Sequence, residues 1–168
     1  MILKEYKEIV KNTLSLYRYK HSLCVADLAL KLAQASGVDK DKAYLAGLLH
    51  DLTKEKPNSF HDDLFIKYHD LDKLKESEKV KHSHSCPYYL YEEFNINDRE
   101  LLEAIYNHTI CNSDLKLSKI LYIADKREES RKLNDDVVEI SLMDLDRGYK
   151  LCKEIDLEYL KSKGVINE

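Results

Sequence analysis

Four glycines and two prolines are spread over 168 residues, too few turn positions to punctuate a many-stranded sheet. Leu, Lys, Glu and Ala dominate instead, and these residues favour helix. Apolar positions recur at helical spacing along most of the chain, so an all-α helical bundle is the expected architecture. Ile2, Leu3, Tyr6, Ile9, Val10 and Leu14 outline a first amphipathic helix. A second runs from about Tyr19 to Ser36, with His21, Cys24, Val25, Leu28 and Leu32 on one face and Gly37 as its C-cap. Asp39 or Asp41 opens a third, whose AYLAGLLH segment is apolar on nearly every side and therefore belongs at the centre of the core. The stretch from Leu52 to Val80 is the least regular and reads as a connector with one or two short helices over the site. A helix from about His82 to Phe94 follows, and Asn97 with Glu100 resembles a capping box for the next. There Leu101, Leu102, Ile105 and His108 share a stripe, as do Leu117, Ile120, Leu121, Ala124 and Asp125 further on. A final helix is expected over about 136–160, carrying Val138, Leu142, Leu145, Tyr149 and Cys152.

The length fits one domain with a substantial core. Residues 1–168 are expected to form it, with a site-bearing part at about 18–131 and the last helix packing on it. A net charge of -4 gives no electrostatic case for a nucleic-acid polymer. Cys24, Cys86, Cys111 and Cys152 are scattered without a C-x-x-C pair, which fits small buried thiols on helices rather than a zinc ribbon or disulfides. No apolar run approaches the ~18 residues of a membrane span, and the first residues lack a signal-peptide core. No membrane association and a cytoplasmic location are the expectations.

Against this apolar background one ordered series stands out: His21, His50-Asp51, His82, His108 and Asp125. Each lies at or beside the apolar face of its helix. Asp125 follows Leu121 by four residues and Leu117 by eight, so it points into the core. A carboxylate there is costly unless it is paired or bound to metal. Imidazole and carboxylate are ligands of divalent transition metals, and six such groups suffice for two ions sharing a bridging carboxylate. Ions roughly 3.5–4 Å apart can hold a bridging hydroxide and clamp both oxygens of a phosphoryl displacement. Hydrolysis of a phosphate ester or anhydride is the reaction class this set suits best. Because histidine must be neutral to bind metal, activity is expected to fall in mild acid.

The motifs R-Y-K-H (Arg18 to His21), L-L-H-D-L-T-K (Leu48 to Lys54), His82, Y-N-H-T (Tyr106 to Thr109) and Y-I-A-D-K (Tyr122 to Lys126) resemble the HD-domain superfamily of phosphohydrolases. Within it the chain is most similar to the bacterial symmetrical diadenosine tetraphosphate hydrolases, from about Arg18 to Arg131. The resemblance implies an all-α HD fold and a di-iron centre that splits diadenosine tetraphosphate into two ADP. It places His21, His50, Asp51 and Asp125 on one metal and His82 and His108 on the other, with Asp51 bridging. It also places Arg18, Lys54 and Arg131 near substrate phosphates, with Asp51 and Lys54 as the catalytic pair. Iron is implied by the resemblance alone; manganese, cobalt, nickel or zinc would suit the same ligands.

The chain departs from the family pattern in three places. A second histidine, His84, follows the third ligand; His82 is preferred because it keeps the spacing to His108. Ile110 to Ser113 replace a Gly-Arg-Pro-like turn, removing an arginine, and Lys126 to Glu129 replace a Tyr-Ile-Glu-Pro-like run. Two other activities fit an HD site, nucleotidase and cyclic-dinucleotide phosphodiesterase, the second disfavoured because Thr53 stands where an H-D-x-G-K-like segment would have glycine. A nucleotide-binding regulatory module with little turnover is the reading from another class, and the complete ligand set argues against it. Tyr17, Tyr19, Tyr106 and Tyr122 lie near the motifs, but rings of this kind are more often core, so they are not counted as site residues. A homodimer is an allowed assembly for a small helical enzyme.

Overall fold

Helix accounts for every regular element of the computed structural model, which describes residues 3–164. The α-helices are α1 (Leu3–Thr13), α2 (Leu16–Ser36), α3 (Lys40–Leu49), α4 (Asn58–Lys67), α5 (Glu78–Phe94), α6 (Arg99–Tyr106), α7 (Lys116–Arg127), α8 (Val137–Met143) and α9 (Leu145–Ser162). Short 3-10 turns lie at Leu71–Lys75 and Glu129–Arg131. Among the described residues none of the helices is long and apolar enough to cross a membrane.

The core is organised around α3, which packs most extensively on α2 and also meets α1, α6 and α7. Its Ala43, Ala46, Leu48 and Leu49 are fully buried, as the all-round apolar segment predicts. Gly47 decides how close the pairing becomes. A Cβ at this position would lie 2.6 Å from the Cα of Ala26, so only glycine lets the two backbones touch here. That contact fixes the end of α3, with His50 and Asp51, against the helix that carries His21. Val25, Ala29 and Leu32 of α2 and Ile120, Leu121 and Ala124 of α7 complete the apolar shell. Each fully buried Leu or Ile contributes roughly 1.5–3 kcal/mol, which helps offset the cost of burying polar groups among them.

Gly37 caps α2 in the left-handed conformation at φ 68°, its N–H donating to the Ala33 carbonyl. Asp39, not Asp41, caps α3, accepting from the N–H groups of Asp41 and Lys42. The connector between α3 and α5 holds α4 and a 3-10 turn, as the charged, Pro-broken stretch suggests, and α4 packs on α5.

Several boundaries differ from expectation. Helix α2 begins at Leu16, because Ser15 accepts the N–H of Arg18 and serves as the N-cap. Helix α5 starts at Glu78, so His82 sits in its second turn instead of opening it. The cap of α6 is Asp98, whose Oδ1 accepts from the Leu101 N–H at 3.0 Å. Glu100 reaches Lys42 at 2.8 Å instead of closing a capping box with Asn97. The single helix expected over 136–160 is two helices, because Asp144 takes an extended conformation and caps α9 by accepting from the Arg147 N–H. The break changes the phase: Val137 is fully buried in place of Val138, and Leu142 is exposed. In α1 the buried residues are Tyr6 and Val10, Leu3 is exposed, and Ile2 lies outside the described residues. All four cysteines are free, three of them buried, and Cys111 lies in a loop rather than on a helix. Burial pushes the Cys86 and Cys152 thiols up to about 12, so neither is a thiolate nucleophile at neutral pH.

Candidate metal centre

Five segments deliver the six donors to one place. His21 comes from α2, His50 and Asp51 from the residues just after α3, His82 from α5, His108 from two residues after α6, and Asp125 from the last turn of α7. None is more than 8% exposed. Asp51 sits between two groups of nitrogen donors. Its Oδ2 faces His50 Nε2 at 3.6 Å and His21 Nε2 at 3.9 Å. Its Oδ1 faces His82 Nε2 at 3.2 Å and His108 Nε2 at 3.6 Å. Asp125 Oδ1 joins the first group, 3.1 Å from His21 Nε2 and 3.7 Å from His50 Nε2. Two clusters with metal-ligand geometry result, His21–His50–Asp51 and Asp51–His82–His108, with the aspartate in common.

The hydrogen bonds behind the rings turn lone pairs toward these clusters. His50 and His108 stand just past helix ends, where carbonyls lack intrahelical partners. Each uses Nδ1–H to donate to the carbonyl three residues back, Gly47 and Ile105, at 2.7 Å. His21 donates Nδ1–H to Glu128 Oε1 at 3.1 Å. In all three the proton belongs on Nδ1 and Nε2 is left as the donor atom, the outer-shell arrangement that orients metal-bound imidazole. His50 Nε2 is fully buried without a hydrogen-bond partner, and an orphan of this kind needs an explanation. A cation is the species that fits: the orphaned lone pair, the paired carboxylates and the His82–His108 Nε2 separation of 3.1 Å suit donors around a shared divalent ion.

The electrostatics point the same way. Burial alone would raise Asp51, yet His50, His108 and His82 hold its carboxyl well below the usual range. Asp125 is likewise held low against burial, by Lys126, His21 and His50. Burial pushes His82 down to about 3 and lowers His108, so both are neutral donors. For His50 burial opposes protonation, but Asp51 and Asp125 outweigh it and raise the pKa. Without metal, a proton is drawn to the position a cation would take.

A polar cavity of about 220 Å³ opens over the cluster and is lined by Tyr17, Arg18, Lys54, Thr109, Lys126 and Arg131 together with four of the donors. All three cations expected from the sequence are here. Arg18 Nη1 contacts Asp51 Oδ2 at 3.1 Å and Arg131 Nη2 contacts Asp125 Oδ1 at 3.3 Å. Lys54 Nζ lies 3.1–3.2 Å from the ring nitrogens of His82, and burial lowers its pKa against the pull of Asp51. His84 joins neither cluster; its Nδ1 meets Glu76 and its ring lies against Tyr106.

Two charged residues beside the donors are not singled out by the sequence. Lys126 Nζ contacts Asp125 Oδ2 at 3.3 Å and adds a fourth cation to the rim. Glu128, only 2% exposed, orients His21. The available signal was a carboxylate three residues after Asp125, on the same helical side.

Residues 18–130 match the HD-domain family. A symmetrical bis(5'-nucleosyl)-tetraphosphatase of Staphylococcus aureus is 35% identical over 141 residues, covering 79% of this chain and 70% of that protein. The Bacillus subtilis protein of the same name is 30% identical over 146 residues, covering 83% and 77%. A Mycoplasma pneumoniae protein named probable nicotinate-nucleotide adenylyltransferase/Ap4A hydrolase is 32% identical over 169 residues; the match takes in 93% of this chain and 46% of the longer protein. The crystal structure of an HD superfamily hydrolase from Clostridium acetobutylicum, described as involved in NAD metabolism, superposes with a TM-score of 0.88 at 26% identity, covering 100% of this chain and 92% of that one. The chain is a member of the HD-domain family of metal-dependent phosphohydrolases and belongs with its symmetrical bis(5'-nucleosyl)-tetraphosphatases.

Proposed function

We propose that this chain hydrolyses diadenosine tetraphosphate, and dinucleoside polyphosphates like it, between the two central phosphorus atoms to give two ADP. The observation that carries the proposal is the division of Asp51 between two donor groups, Oδ2 toward His21 and His50 and Oδ1 toward His82 and His108. The relatives named for this reaction support it.

Two divalent transition ions fit the clusters, iron by resemblance and manganese, cobalt, nickel or zinc by ligand chemistry. His21, His50, Asp125 and Asp51 Oδ2 would hold one, and His82, His108 and Asp51 Oδ1 the other. When bound, such a pair supplies a water-derived nucleophile near neutral pH and neutralises charge on the phosphates.

The chain's own residues supply the binding and the orientation. Cations flank both clusters, Arg18, Lys126 and Arg131 beside the first and Lys54 beside the second. A polyphosphate spanning the clusters is therefore gripped on either side of its midpoint. In the reaction the oxygen of water bonds to one central phosphorus as its proton is given up to solvent, and the bond from that phosphorus to the bridging oxygen breaks. The electron pair leaves with the second ADP, where the Lys54 ammonium is placed to stabilise the growing negative charge. The Gly47 and Ile105 carbonyls and the Glu128 carboxylate, accepting the Nδ1–H groups of His50, His108 and His21, keep the Nε2 lone pairs of those rings in position.

The test is product analysis of diadenosine tetraphosphate incubated with anaerobically iron-loaded protein, resolved by anion-exchange chromatography. ADP as the sole product is the expected result. ATP with AMP, or no turnover by protein holding two ions per chain, would overturn the proposal.

A further inference from the structure

Four tyrosines lie near the site motifs, and the structure separates one from the rest. Tyr122 is buried and its hydroxyl donates to Asp156. Tyr19 packs against the hydrophobic core. Tyr106 is half-buried, tilted against His84 with Lys73 over its ring. Tyr17 is 71% exposed, yet it lines the polar cavity over the metal clusters.

An exposed aromatic ring alone is ordinary surface. What distinguishes Tyr17 is its relation to the charged groups. The Arg18 guanidinium carbon lies 5.6 Å from the Tyr17 ring centre, and the same side chain reaches Asp51 at 3.1 Å. One arginine head group therefore lies between the Tyr17 ring and the carboxylate common to both clusters. In adenosine diphosphate a ribose and one phosphate separate the base from the terminal phosphorus, so a phosphate on Arg18 brings the base over the Tyr17 side of the cavity. The cavity is otherwise polar, and among the described residues no other aromatic ring except those of the histidines lines it.

We propose that Tyr17 is a nucleobase-stacking residue, the element that makes the site prefer a nucleotide over a bare polyphosphate. This rests on the nucleotide-hydrolase reading and names the group that recognises the base. Stacking on an aromatic side chain is tolerant of base identity because every base has a π-face. Purines are therefore held without discrimination between adenine and guanine at this position.

The test uses the absence of tryptophan from the chain. Tyr17→Trp introduces a single indole fluorophore at the proposed contact, in zinc-loaded protein where no turnover is needed. Titration with ADP is expected to quench the indole, and titration with inorganic pyrophosphate is not. Equilibrium dialysis of labelled ADP then gives affinities independently of fluorescence. Tyr17→Ala is expected to weaken ADP binding by roughly five- to a hundredfold, with pyrophosphate binding changed far less and Tyr17→Phe restoring the ADP affinity. ADP that binds without quenching, ADP affinity unmoved by Tyr17→Ala, or no ADP binding at all would overturn the proposal. Hydrolysis by the unaltered protein is scored separately. If diadenosine tetraphosphate were not cleaved but ADP still quenched the indole, the activity would be wrong and the stacking site would stand.

Discussion

Glu128 accepts the Nδ1–H of His21 at 3.1 Å from a side chain that is itself 1% exposed. Its two oxygens also accept from the Ser130 hydroxyl and backbone N–H, each at 2.7 Å. The carboxylate is fully partnered and fixes both the tautomer and the plane of the ring. Outer-shell groups of this kind typically change metal affinity 10–100-fold. Glu128→Ala is therefore expected to weaken metal at the first cluster by about that factor, with Glu128→Gln milder because it keeps an acceptor oxygen. Competition with a chromogenic chelator measures this without turnover; unchanged affinity in Glu128→Ala would remove the residue from the account.

Gly47 carries a different kind of constraint. The added methyl of Gly47→Ala would meet the backbone of Ala26 at 2.6 Å, and neither α2 nor α3 can yield without moving His21 or His50. Overpacking of this sort costs about 1–3 kcal/mol, which in a chain of this size lowers Tm by roughly 2–4 °C per kcal/mol. Thermal unfolding of the metal-free protein is expected to show that loss, and chelator competition a parallel loss of affinity. A variant as stable as the parent would mean that the interhelical contact is looser than the structure has it.

The residues that sequence alone made visible share one property: their significance is local. His21 and Asp125 each interrupt an apolar stripe of their own helix and His108 continues the stripe of α6 just past its end, which periodicity exposes without knowledge of any partner. Glu128 gains its role from a contact across the fold, with a residue 107 positions away. Its spacing from Asp125 marks the side of the helix but not the distant partner. His82 and His84 show the limit within one helix. Two residues apart they are rotated by about 200°, so one faces Asp51 and the other Glu76. Spacing to His108 favoured His82, but only the packing of α5 shows what His84 contacts instead. The break at Asp144 was hidden for a similar reason, since the apolar positions on either side nearly continue one helical pattern.

The metal-free protein should be acid-sensitive. Burial depresses His61, His82, His84 and His108, His82 to about 3. Between the folded value and the unfolded value near 6.5, the unfolded chain binds protons that the native state refuses, so stability rises with pH. Each such group costs up to about 1.4 kcal/mol per pH unit below 6.5 within its window. His50 has the opposite sign: burial is outweighed by Asp51 and Asp125 and its pKa is raised, so its contribution is complete below 6.5 and lost as pH climbs through the folded value. The lowered Asp51 and Asp125 act only below the ordinary carboxylate range. Urea unfolding of chelator-treated protein is expected to show a marked loss of stability from pH 6.5 to pH 5 and a smaller change toward pH 8. Stability that held or rose toward pH 5 would contradict these assignments.

The central claim is that one carboxylate, Asp51, organises two metal positions. Elemental analysis of untagged protein, purified anaerobically and loaded with iron, addresses it directly. Two ions per chain are expected in the parent, about one in His82→Ala, and loss at both positions in Asp51→Ala with the helical fold intact by circular dichroism. A parent that holds one ion or none, or an Asp51→Ala protein that still holds two, would contradict it.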